Sequence, residues 1–394
     1  MVVQTLKWKI FFMSIKVMVY KMKFVSKIIA FLFLIFLVVI IFWQNSFSSS
    51  NITLNEEELI EAKYYSILQD KTVQCQLCFR KCIIPEGERG FCLTRENIEG
   101  KLYSLVYGKP VAVHIDPIEK EPMYHFYPGT DSLCLGTAGC NFRCLNCINW
   151  QFALKSPEEV ETISLSPAEV VQMAIEHNIP TICFTYNDPI VLYEYVYDTA
   201  KLAKEKGLKV SFHSNGSLNP EPLVALLNYV DAVAIDLKAF NPEIYRKLTS
   251  AEISPILETL KRIKKEKVWL EIIYLIIPTI NDDLEDIKKM CLWIKEELGE
   301  DIPLHFSRFF PACKLTRLPP TSLKTLEDAC KIAQEIGLHY VYIDNVPGNQ
   351  NGNTFCPNCG NLLIHRVQFL IFENNIEQGK CKFCGHNIPG YWKE

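Results

Sequence analysis

The chain has 394 residues, enough for two or three domains around a large core. It carries 41 Lys and Arg against 45 Asp and Glu, and six of the basic residues lie in the first 27. The remainder is therefore acidic, which argues against a nucleic-acid partner held through phosphates. Sixteen cysteines fall mostly in C-x2-C and C-x3-C clusters, which in a reducing compartment read as metal ligands rather than a disulfide framework.

The N-terminus places Lys7, Lys9, Lys16, Lys21, Lys23 and Lys27 before an unbroken apolar run from Ile28 to Trp43. With Phe24 and Val25 the run reaches about 20 residues, enough to cross a hydrocarbon layer of ~30 Å. No small-x-small cleavage site follows, so an uncleaved transmembrane anchor is expected, with Met22 as an alternative start. Four segments result: 1–55, basic N-terminus, anchor and linker; 56–128, a cysteine-rich module; 129–347, the main strand–helix segment; and 348–394, a tetracysteine ribbon.

In the second segment Cys75, Cys78, Cys82 and Cys92 lie within eighteen residues. Four soft ligands could hold zinc or an auxiliary iron–sulfur cluster, and the irregular spacing does not choose between them. Alternating apolar residues from Leu102 to Ile115 predict strands or a hairpin.

The apolar run Ser132–Gly136 then leads into Cys140-x3-Cys144-x2-Cys147, on a loop that also holds Gly139 and Asn141. Three thiolates can hold three corners of a cubane iron–sulfur cluster and leave the fourth iron open, whereas an electron-carrying ferredoxin supplies four. A zinc loop or three buried thiols is the alternative reading.

Downstream, apolar β-rich runs begin at Thr181, Leu208, Ala232, Val268, Pro303 and Tyr340, alternating with helical segments. Ser166-Pro167-x-Glu169 is a capping box with proline at the first helical position. Asp188-Pro189, Asn219-Pro220, Asn241-Pro242 and Ser254-Pro255 repeat the cap-plus-proline pattern, and Gly207 and Gly337 mark helix stops. Roughly seven strand–helix units of an α/β fold around a parallel sheet follow, with chemistry expected at the C-terminal strand ends. Those ends carry Asn187 and Asp188, Ser214 and Asn215, Asp236 and Lys238, and His305 with Arg308. Asp188 also suits an N-cap, and Asp236-Lys238 a plain ion pair.

The last segment pairs Cys356-x2-Cys359-Gly with Cys381-x2-Cys384-Gly around a hairpin predicted over Leu362–Phe372. Paired knuckles of this kind are a strong signal for zinc, or for a rubredoxin-like iron, in a closed structural site. Cys183, Cys291, Cys313 and Cys330 have no partner at ligand spacing and read as buried thiols.

The three-cysteine loop resembles that of the radical S-adenosylmethionine (SAM) enzymes, with Asn146 where an aromatic residue is usual and Trp150 close enough to replace it. Asp116-Pro117-Ile118-Glu119-Lys120, Met123–Gly129 and Asp236-Leu237-Lys238 narrow the resemblance to the radical SAM member of the AmmeMemoRadiSam system, related to pyruvate formate-lyase activating enzymes. The resemblance runs from about Cys75 to the C-terminus. It implies a partial TIM-like (β/α) barrel, a [4Fe-4S] cluster on Cys140, Cys144 and Cys147, and SAM bound by Asn187, Asp188, Ser214, Asn215, Asp236 and Lys238. Reductive cleavage would then give a 5′-deoxyadenosyl radical that takes a hydrogen from a substrate, with His305 and Arg308 as candidate substrate contacts. A low-potential electron donor, companion proteins of that system and a protein substrate are the implied partners. A multi-site electron carrier and a zinc-organised interaction protein are the alternatives.

The basic flank by itself would keep the N-terminus in the cytoplasm and export the rest. SAM, low-potential electrons and reduced thiols are cytoplasmic supplies, so the domain from Glu56 is expected in the cytoplasm. Insertion of Leu6–Tyr20 as a hairpin with the anchor would reconcile the two.

Overall fold

The protein is described by a computed structural model over residues 59–393. The expected anchor and its basic flank lie outside these residues. Among the described residues no helix is long and apolar enough to cross a membrane.

One eight-stranded sheet organises the molecule. Its strands are β1 (Ala112–Pro117), β2 (Asp131–Gly136), β3 (Thr181–Phe184), β4 (Lys209–Ser214), β5 (Ala232–Asp236), β6 (Trp269–Ile276), β7 (Leu304–Arg308) and β8 (Val341–Asp344). They pair in sequence order, β1 antiparallel to β2 and all others parallel. Seven parallel strands match the expected number of strand–helix units. The sheet draws its first strand from Ala112–Pro117, within the segment assigned from sequence to the cysteine-rich module, because β1 and β2 are joined through one connection.

Helices α1 (Pro167–Glu176), α2 (Tyr193–Glu205), α3 (Pro220–Leu227), α4 (Pro242–Thr249), α5 (Ser254–Lys265), α6 (Leu284–Glu297) and α7 (Leu323–Ile336) connect the strands. The capping box of Ser166 and Glu169 forms as expected, and Asn241 accepts from the amides of Glu243 and Ile244. Two expected caps differ. Ser254 is the first residue of α5 rather than its cap, and Asn219 makes no cap bond. Asn219 instead donates to the carbonyls of Gln76 and Cys78, which ties the N-terminal module to the barrel.

Alternate strand residues divide the sheet. Leu133, Ile182, Phe212, Ile235, Ile272 and Phe306 face the helices and join one large apolar core. On the other face the register sets Cys134 beside Cys183, Cys183 beside Ser211, and Glu271 beside Ala234. This polar face is closed by the β1–β2 connection. Ile118, Met123 and Phe126 pack on Ala232, Ala234 and Ile273. Glu271, fully buried, takes hydrogen bonds from the amides of Tyr124 (3.0 Å) and His125 (2.8 Å), from Trp269 Nε1 (3.0 Å) and from His305 Nε2 (2.8 Å). A buried carboxylate needs such donors to offset its lost hydration.

Two small modules flank the barrel. Short antiparallel strands between Ile60 and Ser104 form the N-terminal one. The C-terminal one holds the predicted hairpin, as Leu362–Val367 and Leu370–Asn374. Its tail returns to the plug, with Tyr391 N donating to His125 O and Tyr127 N to Tyr391 O.

Candidate active site and metal centres

The three-cysteine loop leaves β2 at the C-terminal edge of the sheet and is fixed from three sides. Asn187 clamps its start, accepting from Thr137 N (3.0 Å) and donating to Gly139 O (2.7 Å). Gly139 has φ +77°, and a Cβ there would stand 2.4 Å from Cys92 O, so only glycine fits. Asn141 donates to Ser217 Oγ (2.7 Å) and accepts from Asn215 Nδ2 (2.8 Å). The amides of Arg143 and Leu145 donate to Thr249 O and Leu248 O at the end of α4. Cys140, Cys144 and Cys147 thus come from a loop whose backbone groups are already paired, the rigid support a site needs.

Around them stand the strand-end groups. Asp188 accepts from Asn215 N (2.6 Å), Ile190 N (3.0 Å) and Ser214 Oγ (3.1 Å). Burial pushes its carboxyl up to about 6 despite those donors and despite Lys238. It is a cap as expected, though of a short 3-10 turn. Asn187, Ser214 and Asn215 spend their polar atoms on this internal network, so they position Asp188 and the loop. Lys238 Nζ pairs with Asp236 at 2.7 Å, and His213 Nε2 meets the other Asp236 oxygen at 3.1 Å. Burial alone would raise the Asp236 carboxyl, but Lys238 and His213 hold it well below the usual range. Burial pushes the Cys144 thiol up to about 12, while the nearby Lys238 charge works against that shift.

Buried polar atoms at this site without a hydrogen-bond partner include Asn146 Oδ1, next to Cys147, and the hydroxyl of Tyr245; His213 Nε2 joins them, since its approach to Asp236 lacks hydrogen-bond geometry. The Tyr245 hydroxyl is close enough to Lys238, Cys144, Asp236 and Asp188 to feel their charges. Nothing in the sequence marked it, since a tyrosine on the apolar face of a helix reads as core. Orphaned buried groups point to a missing ligand. An acceptor, a hydroxyl, a lysine and a carboxylate together suit a zwitterion carrying a base and a ribose. Trp150 opens a one-turn helix, Trp150–Ala153, and is 43% exposed.

His305 and Arg308 make their polar contacts with other residues. His305 is fully buried, with Nε2 on Glu271 (2.8 Å) and Nδ1 on Asp344 (3.0 Å). Arg308 donates to Thr321 O (2.8 Å) and stacks over Phe310. Beside it a cleft of about 280 Å³ runs past the end of β8, between Phe310, Asn345 and Asp344 on the barrel and Arg366 and Phe369 of the C-terminal hairpin.

The thiol sets differ in spacing. Cys356, Cys359, Cys381 and Cys384 hold all four sulfurs within 4.8 Å of one another, with Cys356–Cys384 at 3.6 Å and Cys359–Cys381 at 3.8 Å. Four sulfurs around one tetrahedral ion at a bond length of ~2.3 Å stand roughly 3.8 Å apart. The ribbon therefore fits a single ion. Among the described residues, no three sulfurs of Cys140, Cys144 and Cys147, nor of Cys75, Cys78, Cys82 and Cys92, come within that limit. A cubane, where each thiolate sits on its own iron, spreads its ligands wider than a single ion does.

Of the thiols expected to be buried and solitary, Cys291 and Cys330 are so. Cys183 is buried but meets Cys134 and Glu121, all within 4.8 Å. Cys313 is half-buried rather than buried and lies near Cys147, whose thiol is pushed up first by burial and in small part by Cys313. The amide of Lys314, donating to Leu145 O, draws this segment against the cluster loop.

Residues 135–291 match the Radical SAM superfamily. An uncharacterized protein of Methanocaldococcus jannaschii is 48% identical over 330 residues, covering 83% of this chain and 98% of its own. A second protein of that organism, named as a glycyl-radical enzyme activating enzyme, is 27% identical over 58% of this chain and 93% of its own. The pyruvate formate-lyase 1-activating enzyme of Escherichia coli is 25% identical over 50% of this chain and 87% of its own. The matched span begins in β2 and takes in both the three-cysteine loop and the Asp236–Lys238 strand end, and on that ground the chain belongs to the Radical SAM superfamily and is a radical SAM enzyme.

Proposed function

We propose that Cys140, Cys144 and Cys147 hold three irons of a [4Fe-4S] cluster and that this chain is an activating-type enzyme acting on a protein. The observation that carries the reading is the thiol trio, not packed for a single ion, clamped at the C-terminal sheet edge beside unpartnered Asn146 and Tyr245 and the Asp188 and Lys238 charges. When bound, cluster and SAM supply reductive cleavage to a 5′-deoxyadenosyl radical able to abstract a hydrogen. The chain's own residues orient and shield. Lys238, steadied by Asp236, offers a cation to the SAM carboxylate, and Asp188 keeps one acceptor position for the amino group. Asn146 Oδ1 offers an acceptor to an exocyclic amine. The polar barrel face, closed below by the 118–130 plug, keeps water from entering at the far end.

A protein substrate is supported by the names of the activating-enzyme relatives and by the cleft between barrel and ribbon, whose rim carries exposed Phe310 and Phe369. The resemblance of Asp116–Lys120 and Met123–Gly129 adds the AmmeMemoRadiSam companions as partners. The domain from Glu56 is placed in the cytoplasm on the requirement for reduced thiols; an impermeant thiol reagent added to intact cells should leave these cysteines unlabelled. The ribbon would hold one closed zinc.

The test is spectroscopic. The reduced, reconstituted protein should give a cubane EPR signal that shifts when SAM is added, and the Cys144→Ala protein should lack the shift. A signal indifferent to SAM would sink the proposal.

A further inference from the structure

Cys75, Cys78, Cys82 and Cys92 line one cavity together with Arg80, Arg95 and Asn141. The sulfurs converge on it, yet among the described residues no three of the four approach within 4.8 Å. The ribbon sulfurs in the same molecule stand at 3.6–3.8 Å, so single-ion packing is available to this chain and is not what the N-terminal module adopts. Four thiols around one cavity without single-ion packing suit a group that gives each thiolate its own iron.

A second observation is independent of the thiols. Arg95 is buried, with 1% exposure, and its guanidinium pairs with Glu194 and donates to Lys63 O (3.0 Å). Its Nη1 lies 3.8 Å from Cys75 Sγ, but its Nε has no partner. A buried N–H without an acceptor costs about 1–3 kcal/mol, and inorganic sulfide is an acceptor of the kind that cysteine-ligated clusters present to nearby donors. A cubane with four thiolates is also net anionic, and Arg80 supplies opposite charge at the cavity wall, Arg95 being already paired with Glu194.

We propose that Cys75, Cys78, Cys82 and Cys92 hold a second [4Fe-4S] cluster, closed by four thiolates and seated against the catalytic loop. The seating is direct. Arg80 donates from the N-terminal module to Asn141 O, Arg143 reaches back to Phe91 O, and Gly139 presses on Cys92 O. With no open iron this cluster does not take SAM; it fixes the loop that carries Cys140.

The experiment counts iron and sulfide in anaerobically reconstituted full-length protein. About eight of each per chain are expected, since each cubane holds four. The Cys140→Ala/Cys144→Ala/Cys147→Ala protein should keep about four and show a reduced-cubane EPR signal that SAM does not move. Adding Cys78→Ser should remove that remainder. About four irons in the intact protein, or a triple variant that holds a second zinc and no sulfide, overturns the proposal. Because the triple variant lacks the catalytic ligands, its result stands or falls separately from the SAM-cleaving role.

Discussion

Asn146 illustrates how a single position separates stability from function here. Its Oδ1 is buried without a partner, so replacing it with leucine removes an unsatisfied group and should leave stability unchanged or raise it by about 1 kcal/mol. The same change should weaken SAM binding several-fold, read as a shift in the SAM concentration for half-maximal cleavage. Lost stability with an unchanged SAM requirement would contradict the assignment. His305 gives a pH signature. Burial alone would pull its pKa down, but Asp344 and Glu271 more than offset this and raise it to about 9, against ~6.5 in an unfolded chain. Folded imidazolium is favoured, so its contribution is full below about pH 6.5 and lost as pH rises through 9. The unfolding free-energy difference between the native chain and His305→Gln should therefore shrink from pH 6 to 9.5. A difference constant with pH would exclude the paired imidazolium.

At the scale of elements, local signals were legible and remote ones were not. Each predicted strand onset lies within a residue of the observed one, because buried parallel strands write continuous β-branched runs. The capping box at Ser166 formed for the same local reason, and Ser166→Ala should cost about 1 kcal/mol in denaturant unfolding without altering activity. Ser254 fell one residue inside its helix, whose cap position is Ile253, and Asn219 did not cap because its side chain is drawn to distant contacts. Asn219 serves the Gln76 and Cys78 carbonyls, which no window around residue 219 contains. Tyr245 and the Glu271 network were hidden likewise: a tyrosine and a glutamate inside apolar runs acquire roles only when strands bring Cys144, or the Tyr124 and His125 amides, beside them. Cys-x2-Cys spacing named the thiol groups, but only three-dimensional separation distinguished the ribbon from the other two sets.

The described residues form a barrel stoppered at one face, with the C-terminal tail bonded to the stopper. Glu271 grips the plug through the Tyr124 and His125 amides, while His125 Nδ1 meets Pro389 O and Arg366 reaches Tyr124 O (2.7 Å each). Ribbon and plug are thus coupled, and chelating the ribbon metal should lower the melting temperature and raise amide exchange in residues 118–130 as well as 356–384. Exchange confined to the ribbon would show the two to be independent. The proposed cluster site lies at the opposite edge of the barrel, on the three-cysteine loop beside the strand-end charges. The most direct test is 5′-deoxyadenosine formation from SAM under anaerobic dithionite reduction, measured for the native chain and for Cys144→Ala. The native protein should form it and Cys144→Ala should not, while remaining folded by circular dichroism because the apolar core does not include the cluster. Continued formation by a folded Cys144→Ala protein would contradict the three-cysteine centre.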